Sequence, residues 1–417
     1  MVIDRKLVLC VVGACVMLSS PVGAKTSISL MNPYGSGPYQ TALDAMAKQY
    51  MKENPNIDVR VLADTWGLMD KIIIQSAAGT GPDLAIMPED YVGKLTSGGL
   101  LENLDPYIKA SRFPIANYYK ATVDAHRSKY RNVPGQYGMP FIYSGYGFFF
   151  NKDMFARRGV APPAKDWTYD DLRKLAVKLT VDLNNDGKID EYALDISNHQ
   201  NRMVGFIRSY GGDIVNEDTN ELRLAEPASI AGLQCFGDMW AKYNAVFTGA
   251  FPTGKAALMM NTAFEIPDVR KAKFDWDVTE APFGPTGLRS VCMPVAGISL
   301  TKVSKQKKEA WKFMQFLVSQ DQQEYFGKLQ LAIPANIKAS RAWLNLEIRP
   351  KNAEVFIDSV KYAAPTGKAP YCDGIFEVLR RTARGMLANK DDANSMVAKA
   401  VPEMKAIIKK FLPRMSR

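Results

Sequence analysis

Near the start of the chain, two short apolar runs are separated by a stretch with helical periodicity. Residues 27–31 and 57–62 have the composition of strands, and residues 40–53 between them carry apolar side chains at helical spacing. A strand, a helix and a strand in this order form a βαβ unit, in which the two strands are parallel and covered by helices. The sequence therefore predicts an α/β fold with a parallel sheet.

The length and composition of the chain are those of a globular protein with more than one domain. It has 417 residues, of which 47% are apolar and 23% are charged, and this length corresponds to roughly two to three ordinary domains. A second region of alternating strands and helices begins near residue 138. We therefore expect two α/β bodies.

The first residues have the composition of a secretory signal peptide. Arg5 and Lys6 precede an apolar run at residues 7–18, and small residues follow at 22–24. We expect residues 1–24 to be removed on export and the mature protein to be periplasmic. The alternative is a lipid anchor at Cys15, which the short preceding apolar run and the apolar residues after it disfavour.

Three cysteines follow the predicted signal peptide: Cys235, Cys292 and Cys372. Their wide spacing matches no zinc motif and no disulfide framework, and in an oxidising compartment at most one pair could form. The formal charge of +10 comes from scattered Lys and Arg residues, so we predict a mildly basic surface and no nucleic-acid partner. An anionic ligand or a membrane-complex partner is the weaker alternative.

A predicted third strand ends in two carboxylates. The apolar residues 84–87 are followed by Pro88, Glu89 and Asp90. In α/β sheets, ligands bind beyond the carboxyl ends of the strands, so we predict that Asp90 accepts hydrogen bonds from ligand hydroxyls. The alternative is that Asp90 caps the following helix.

The chain lacks the patterns of common enzymes. Its two histidines, His126 and His199, show no metal spacing, and there is no nucleophile elbow, phosphate loop or dinucleotide fingerprint. Adjacent carboxylates such as Glu89 and Asp90 cannot flank a glycosidic bond from opposite sides. We therefore expect no catalytic site.

One loop, at residues 182–193, partly matches a calcium-binding loop. Gly187 takes the sixth position, but Ala193 takes the twelfth, where a bidentate Glu belongs. The side chains that could bind the metal are Asp182, Asn184, Asp186 and Asp190. A polar turn is the favoured interpretation, a weak structural calcium site is the alternative, and no other cofactor is expected.

Five ordered blocks of the sequence resemble the extracellular solute-binding proteins of the maltodextrin-binding type, which serve ATP-binding cassette (ABC) importers of sugars. The blocks are "GTGPDLAIMPEDYVGKLTSGGLLENLD", "YGMPFIYSGYGFFFNKDMFARRGV", "FPTGKAALMMNTAFEIP", "KKEAWKFMQFLVSQDQQEYF" and the signal peptide. The resemblance covers nearly the whole mature chain. It implies two α/β lobes, joined by crossing strands, that close on a ligand held in the cleft between them.

The resemblance also implies the lobe boundaries. Lobe one would contain residues 25–141 and 294–336, and lobe two residues 142–293 and 337–417. The crossing strands would lie near residues 142–146, 290–295 and 337–343.

The resemblance and the chemistry of sugars together predict the ligand-binding residues. A sugar has an apolar face that stacks on aromatic rings and hydroxyls that need polar partners. Met87 and Phe264 stand where maltodextrin-binding relatives often carry tryptophan, so a long glucose polymer is not favoured. The predicted set is Tyr34, Trp66, Met87, Asp90, Tyr143, Ser144, His199, Asn201, Phe264 and Tyr371; Phe376 is an alternative to Tyr371, and Asp373 is a further polar candidate.

The predicted partners are a small carbohydrate and the permease subunits of an ABC importer, and we expect a monomer. Arg202 beside Asn201, together with the positive net charge, leaves an anionic sugar derivative such as a sugar phosphate or uronate, or a polyol, as an alternative ligand. A secreted glycan-processing enzyme is the weaker alternative function.

Overall fold

The computed structural model describes residues 25–64, 68–129, 133–344, 348–388 and 391–415. The predicted signal peptide, the anchor alternative at Cys15 and the predicted site residue Trp66 lie outside these ranges. Within them, no helix has the length and apolar character needed to cross a membrane.

Helices and strands alternate along most of the described chain. The strands are β1 (Thr26–Asn32), β2 (Ile57–Ala63), β3 (Leu84–Pro88), β4 (Arg127–Ser128), β5 (Gly135–Gln136), β6 (Met139–Tyr143), β7 (Tyr146–Asn151), β8 (Tyr192–Asp195), β9 (Val215–Asn216), β10 (Glu221–Leu222), β11 (Ala256–Thr262), β12 (Trp276–Thr279), β13 (Val291–Cys292), β14 (Val295–Leu300), β15 (Ile333–Pro334) and β16 (Ala363–Ala364). The α-helices are α1 (Pro38–Glu53), α2 (Leu68–Ala77), α3 (Glu89–Ser97), α4 (Asp105–Ser111), α5 (Lys120–Ala125), α6 (Lys152–Arg157), α7 (Tyr169–Leu179), α8 (Gln200–Ser209), α9 (Pro227–Ala241), α10 (Ile266–Val269), α11 (Lys307–Leu317), α12 (Gln320–Lys328), α13 (Glu354–Asp358), α14 (Cys372–Leu387) and α15 (Ala393–Met415). Short 3-10 helices cover Ile115–Asn117, Ala263–Glu265, Ala339–Trp343 and Ser359–Lys361.

The first large sheet has six strands in the order β15-β6-β14-β3-β1-β2. Strand β1 is parallel to β2 and β3, which confirms the predicted βαβ unit. Strand β14 pairs antiparallel with both β3 and β6, and β15 pairs antiparallel with β6. The parallel arrangement predicted from the βαβ unit therefore holds for β1, β2 and β3, and the sheet as a whole is mixed because the chain re-enters it from the other lobe.

The second large sheet has four strands in the order β12-β7-β11-β8. Strand β7 is antiparallel to β11 and β12, and β8 is parallel to β11. Each large sheet has its own hydrophobic cluster, so the fold consists of two α/β lobes.

The chain passes between the two sheets at three places. It leaves the first sheet between Tyr143 and Tyr146, returns through β13 into β14, and leaves again after β15. Strand β13 pairs with β16 beside the second crossing. The expectation of a third crossing strand at residues 337–343 is wrong, because Asn336 Oδ1 accepts hydrogen bonds from the backbone nitrogens of Lys338 and Ala339, both at 3.1 Å, and starts a 3-10 helix there.

Local sequence explains several element boundaries. Asn151 caps α6, since its Oδ1 accepts a hydrogen bond from the backbone nitrogen of Met154 at 3.0 Å. Thr168 and Asp171 form a reciprocal capping box at the start of α7. These caps hold the second-lobe helices against the sheet that supports one wall of the cleft. Cys235, Cys292 and Cys372 are buried and unpaired.

Candidate binding cleft

A cleft of about 490 Å³ lies where the two lobes face each other. It is built from the start of α3 beyond β3, the start of α8, the crossing segment before β14, and one face of α14. Its lining residues are Pro88, Glu89, Asp90, Tyr91, His199, Gln200, Asn201, Pro294, Thr366, Asp373, Phe376 and Arg380. Three members of the predicted set, Asp90, His199 and Asn201, meet here.

Asp90 lies in the first turn of α3 and does not cap it. The N-cap residue is Pro88, and no side chain makes a capping hydrogen bond there. The alternative role of Asp90 as a helix cap is therefore wrong, because the helix begins at Glu89, two residues earlier than that role requires. Asp90 Oδ1 is buried and makes no hydrogen bond within the described structure, which leaves it free to accept one from a ligand.

Glu89 lies beneath Asp90 and links α3 to β14. Its side chain is buried, and its Oε2 accepts a hydrogen bond from the backbone nitrogen of Val295 at 2.9 Å. Burial, followed by the nearby charge of Asp90, raises the pKa of Glu89 to about 8. Glu89 was not in the predicted binding set, because strand alternation alone does not show which of two adjacent carboxylates is buried.

Asp90 and Asp373 bring carboxyl groups from α3 and α14 together. Burial, followed by the charge of Asp373, raises the pKa of Asp90 to about 7. Burial also raises the pKa of Asp373, although the charges of Lys94 and Arg380 oppose this shift. The cleft therefore contains three carboxyl groups whose ionisation is unfavourable in the unliganded protein.

The start of α8 supplies an imidazole and an amide. His199 is the N-cap residue, and its Nδ1 accepts a hydrogen bond from the backbone nitrogen of Asn201 at 3.3 Å. Burial, followed by the charges of Arg202 and Arg380, lowers the pKa of His199 to about 4, so the ring is neutral at pH 7. Asn201 Oδ1 accepts a hydrogen bond from Thr366 Oγ1 at 2.8 Å, which orients the amide.

Helix α14 contributes three lining residues at helical spacing: Asp373, Phe376 and Arg380. Arg380 Nη1 donates a hydrogen bond to Gln200 Oε1 at 2.7 Å, and its guanidinium also pairs with Glu377. Asp373 and Phe376 were predicted candidates, whereas Arg380 was not predicted. The shared i, i+3, i+7 face of the helix was the available signal.

Tyr34 and Phe264 lie near the cleft without being among its lining residues. The ring of Tyr34 stacks on Tyr39 with centroids 4.4 Å apart. Burial, followed by the charges of Glu89 and Asp90, raises the pKa of Tyr34, which places its hydroxyl near these carboxyl groups. Phe264 is 38% exposed, and its ring centroid lies 6.4 Å from that of Tyr39 in the other lobe.

The structure gives no support to ligand contact by four residues of the predicted set. Met87 is a buried residue of β3, Tyr143 is buried with Phe149 and Phe356, and Tyr371 is buried in the second-lobe core. Ser144 is 1% exposed at the first crossing, and its Oγ makes no hydrogen bond in the described structure. Packing explains the first three positions, because large apolar and aromatic side chains usually fill the core.

The loop at residues 182–193 is held by hydrogen bonds from its own backbone. Asp182 Oδ2 accepts one from the nitrogen of Gly187 at 2.7 Å, and Asp190 Oδ2 accepts one from the nitrogen of Leu183 at 2.8 Å. Asn184 and Asp186 accept backbone hydrogen bonds in the same way. Among the residues that the structure describes, no group of three or more His, Cys, Asp or Glu side chains is arranged to hold a metal ion.

The geometry of two lobes around a polar cleft agrees with comparison to known families. Residues 34–324 match the bacterial extracellular solute-binding protein family. The chain belongs to this family. Its members are binding proteins, and the two-lobed α/β fold predicted from the sequence is confirmed.

Relatives of this solute-binding protein match it over most of their length. A binding protein of Brucella abortus is 22% identical over 395 residues, which cover 90% of this chain and 91% of the relative. A maltooligosaccharide ABC transporter solute-binding lipoprotein of Streptococcus pneumoniae is 24% identical and covers 89% of this chain and 87% of the relative. The ABC substrate-binding protein Lmo0181 of Listeria monocytogenes, solved with cycloalternan, superposes with a TM-score of 0.80 at 22% identity, covering 93% of this chain and 99% of that one.

Proposed function

We propose that this chain is the substrate-binding component of an ABC importer and that it captures a carbohydrate in the interlobe cleft. The observation that carries the proposal is the convergence of Asp90, His199 and Asn201, from two lobes, on one cavity of about 490 Å³. A cavity of this size holds a mono- or oligosaccharide of a few rings at most.

The chemistry of the cleft suits a sugar. Carboxyl and amide oxygens accept hydrogen bonds from hydroxyls, and the amide of Asn201 can also donate. Phe376 provides an apolar wall, and we propose that Tyr34 and Phe264 add aromatic surface when the lobes close on the ligand. An aromatic ring beside several polar groups is the combination that a sugar ring requires.

The names of similar proteins support the same function. The Streptococcus pneumoniae relative is named for maltooligosaccharide transport, and a relative from Pyrococcus abyssi, 26% identical over 288 residues, is named a maltotriose-binding protein. We propose delivery to the membrane subunits of an importer on this basis. We also propose that lobe one comprises residues 25–141 and 294–336, that lobe two comprises the rest of the mature chain, and that the lobes close on the ligand.

We propose a periplasmic protein exported by the signal peptide at residues 1–24, acting as a monomer without a cofactor and without a nucleic-acid partner. Calcium at Asp182, Asn184, Asp186 and Asp190 is the remaining alternative for the loop that contains them. Titration with calcium after chelation tests it: a rise of several degrees in melting temperature would support a structural calcium site, since a ligand of the native state stabilises it by mass action.

The alternative ligands and functions are less favoured by the structure. An anionic sugar would have to share the cleft with Glu89, Asp90 and Asp373, whose ionised forms would repel its phosphate or carboxylate. Arg202, which motivated that alternative, donates from Nη2 to Asn261 Oδ1 at 2.8 Å and lies over the ring of Tyr146. A neutral polyol and a glycan-processing enzyme remain alternatives that the experiment distinguishes.

Calorimetry with mono- and oligosaccharides, polyols and sugar phosphates, combined with product analysis, tests the proposal. We expect one ligand molecule to bind per chain, reversibly and without chemical change. Saturable binding of a sugar followed by its cleavage would show an enzyme instead. If no sugar or polyol raises the melting temperature or binds at millimolar concentration, the proposed function is wrong.

A further inference from the structure

The binding cleft contains more carboxyl groups than cationic groups. Glu89, Asp90 and Asp373 line it, whereas Arg380 is the single guanidinium or ammonium group among its described lining residues. Arg380 is committed to Gln200 and Glu377, and His199 is neutral at pH 7 because its pKa is lowered to about 4. The cavity is therefore acidic and has no uncommitted cation in its lining.

The three carboxyl groups line one cavity, Glu89 and Asp90 from α3 and Asp373 from α14. Burial, followed by the charge of Asp373, raises the pKa of Asp90, and burial, followed by the charge of Asp90, raises the pKa of Glu89. Asp90 Oδ1 is buried without a hydrogen-bond partner in the described structure. Bringing like charges together out of water is unfavourable, and a cation placed between them would remove that cost.

Charged groups on the surrounding helices do not supply this cation. Burial raises the pKa of Asp373, and although the charge of Lys94 on α3 lowers it, burial has the larger effect. Arg202 on α8 is bonded to Asn261 and lies 5.1 Å from the centroid of the Tyr146 ring. Burial, followed by nearby negative charges that include Asp70 on α2, raises the pKa of Tyr91. Asp70 therefore adds further negative charge near the cleft.

Resting on the proposed function, we propose that the carbohydrate bound here carries a cationic amino group, as an amino sugar does, and that Asp90 and Asp373 receive that group. The ammonium donates charge-assisted hydrogen bonds to the two carboxylates. Phe376 lines the same cleft and presents aromatic surface to it, which favours a cation as well as a sugar ring. The remaining hydroxyls bond to Asn201 and His199.

Calorimetry on the purified protein with three oligosaccharide series of equal length tests this inference. The series are glucosamine oligomers, their N-acetylated counterparts and glucose oligomers, so that the first differs from the second only by a charged amine in place of a neutral amide. We expect the best glucosamine ligand to bind at least tenfold more tightly than its two matched counterparts at pH 7.

Two variants test whether Asp90 and Asp373 cause the preference for the amino sugar. Asp90→Asn and Asp373→Asn keep the side-chain shape and remove one charge each, and each should reduce the preference for the amine by at least fivefold while weakening the neutral ligand less. Asp58→Asn removes a carboxylate on β2, outside the cleft lining, and should leave the preference unchanged. Circular dichroism shows whether each variant is folded.

Proton exchange supplies an independent measurement. Binding of an ammonium group favours the ionised carboxylates, so protons should be released at pH 7, and the apparent binding enthalpy should change with the ionisation enthalpy of the buffer. Asp90→Asn should reduce this release. Protein that binds neutral sugars as tightly as amino sugars, without proton release, would overturn this inference and leave the proposed function intact. Failure to bind any saccharide would overturn both.

Discussion

The ring of Tyr39 in α1 faces the ring of Phe264 after β11 from the opposite lobe, and the two ring centroids are 6.4 Å apart. Tyr39 is anchored in lobe one, since its hydroxyl donates to the backbone oxygen of Leu331 at 2.7 Å. Phe264 is 38% exposed, so its side chain faces the other lobe more than it packs in the core of lobe two.

Replacing Phe264 with alanine should weaken ligand binding and leave the fold intact. Loss of an aromatic contact across the lobes is worth roughly 0.5–1.5 kcal/mol, and loss of stacking on the ligand would add to it, for a total of roughly 1–3 kcal/mol. Calorimetry gives the affinity and a melting curve gives the stability. Phe247→Ala is a matched control, because Phe247 is also exposed and stacks on Tyr192 within one lobe. If Phe264→Ala lowers the melting temperature and keeps its affinity, Phe264 is a packing residue.

Asp90→Ala should reduce the affinity for ligand without lowering the stability of the unliganded protein. Its carboxylate makes no capping hydrogen bond in α3, and charge-assisted bonds to a ligand are worth about 1.5–3 kcal/mol, which corresponds to tenfold or more in the dissociation constant. Binding and melting measurements on the same preparation separate the two effects. An unchanged dissociation constant would remove Asp90 from the site.

Glu89→Gln should stabilise the unliganded protein at high pH. The pKa of Glu89 is raised from 4.5 to about 8 in the folded protein, so the folded state keeps a proton that the unfolded chain releases. The wild-type free energy of unfolding therefore falls as pH rises between these two values, whereas the variant lacks this loss.

We expect the advantage of Glu89→Gln, measured by urea unfolding, to grow from near zero at pH 4.5 to roughly 1–3 kcal/mol at pH 8.5. Glu53→Gln, which removes an exposed carboxylate at the end of α1, is the control for general charge effects. If the advantage of Glu89→Gln is the same at both pH values, the raised pKa of Glu89 is not its cause.

Gly93→Ala should destabilise the protein strongly. A Cβ atom at Gly93 in α3 would lie 1.9 Å from the backbone oxygen of Lys368, in the segment that leads into α14. Backbone cannot yield as a flexible side chain does, so we expect a loss of at least roughly 2 kcal/mol in the free energy of unfolding. Gly37→Ala, where no atom lies within 4 Å of the added Cβ, should cost no more than roughly 0.5–1 kcal/mol, because Gly37 is the N-cap residue of α1 and Ala is disfavoured there. Equal stability of both variants would show that the two segments separate in solution.

The sequence predicted those parts of the fold that depend on local periodicity. The strands at residues 27–31, 57–62 and 84–87 and the helix at 40–53 are confirmed, because alternation and helical spacing are properties of neighbouring residues. The antiparallel insertion of β14 was not predictable in this way. Its partner β3 precedes it by about two hundred residues, and no local pattern records that pairing.

Only part of the binding site was predicted, because some of its residues depend on contacts between distant parts of the chain. Asp90 follows a strand, which is a local signal for a position at the rim of a sheet, whereas His199 was predicted from the resemblance. Arg380 and Thr366 reach the cleft only because α14 and the preceding segment fold back against lobe one. Met87 was predicted from the resemblance and Tyr143 from the chemistry of sugars, and their burial depends on packing that the chain order does not show.

The position of β14 has a consequence for the order in which the protein can fold. This strand lies between β3 and β6, so the first sheet remains in two unconnected parts until residue 300 has left the ribosome or the export channel. Most of the chain must therefore be available before lobe one can form, and a truncated product that ends before β14 would expose the unpaired edges of both parts. Such a fragment should be a substrate for chaperones and proteases, and it cannot be a smaller version of the binding protein.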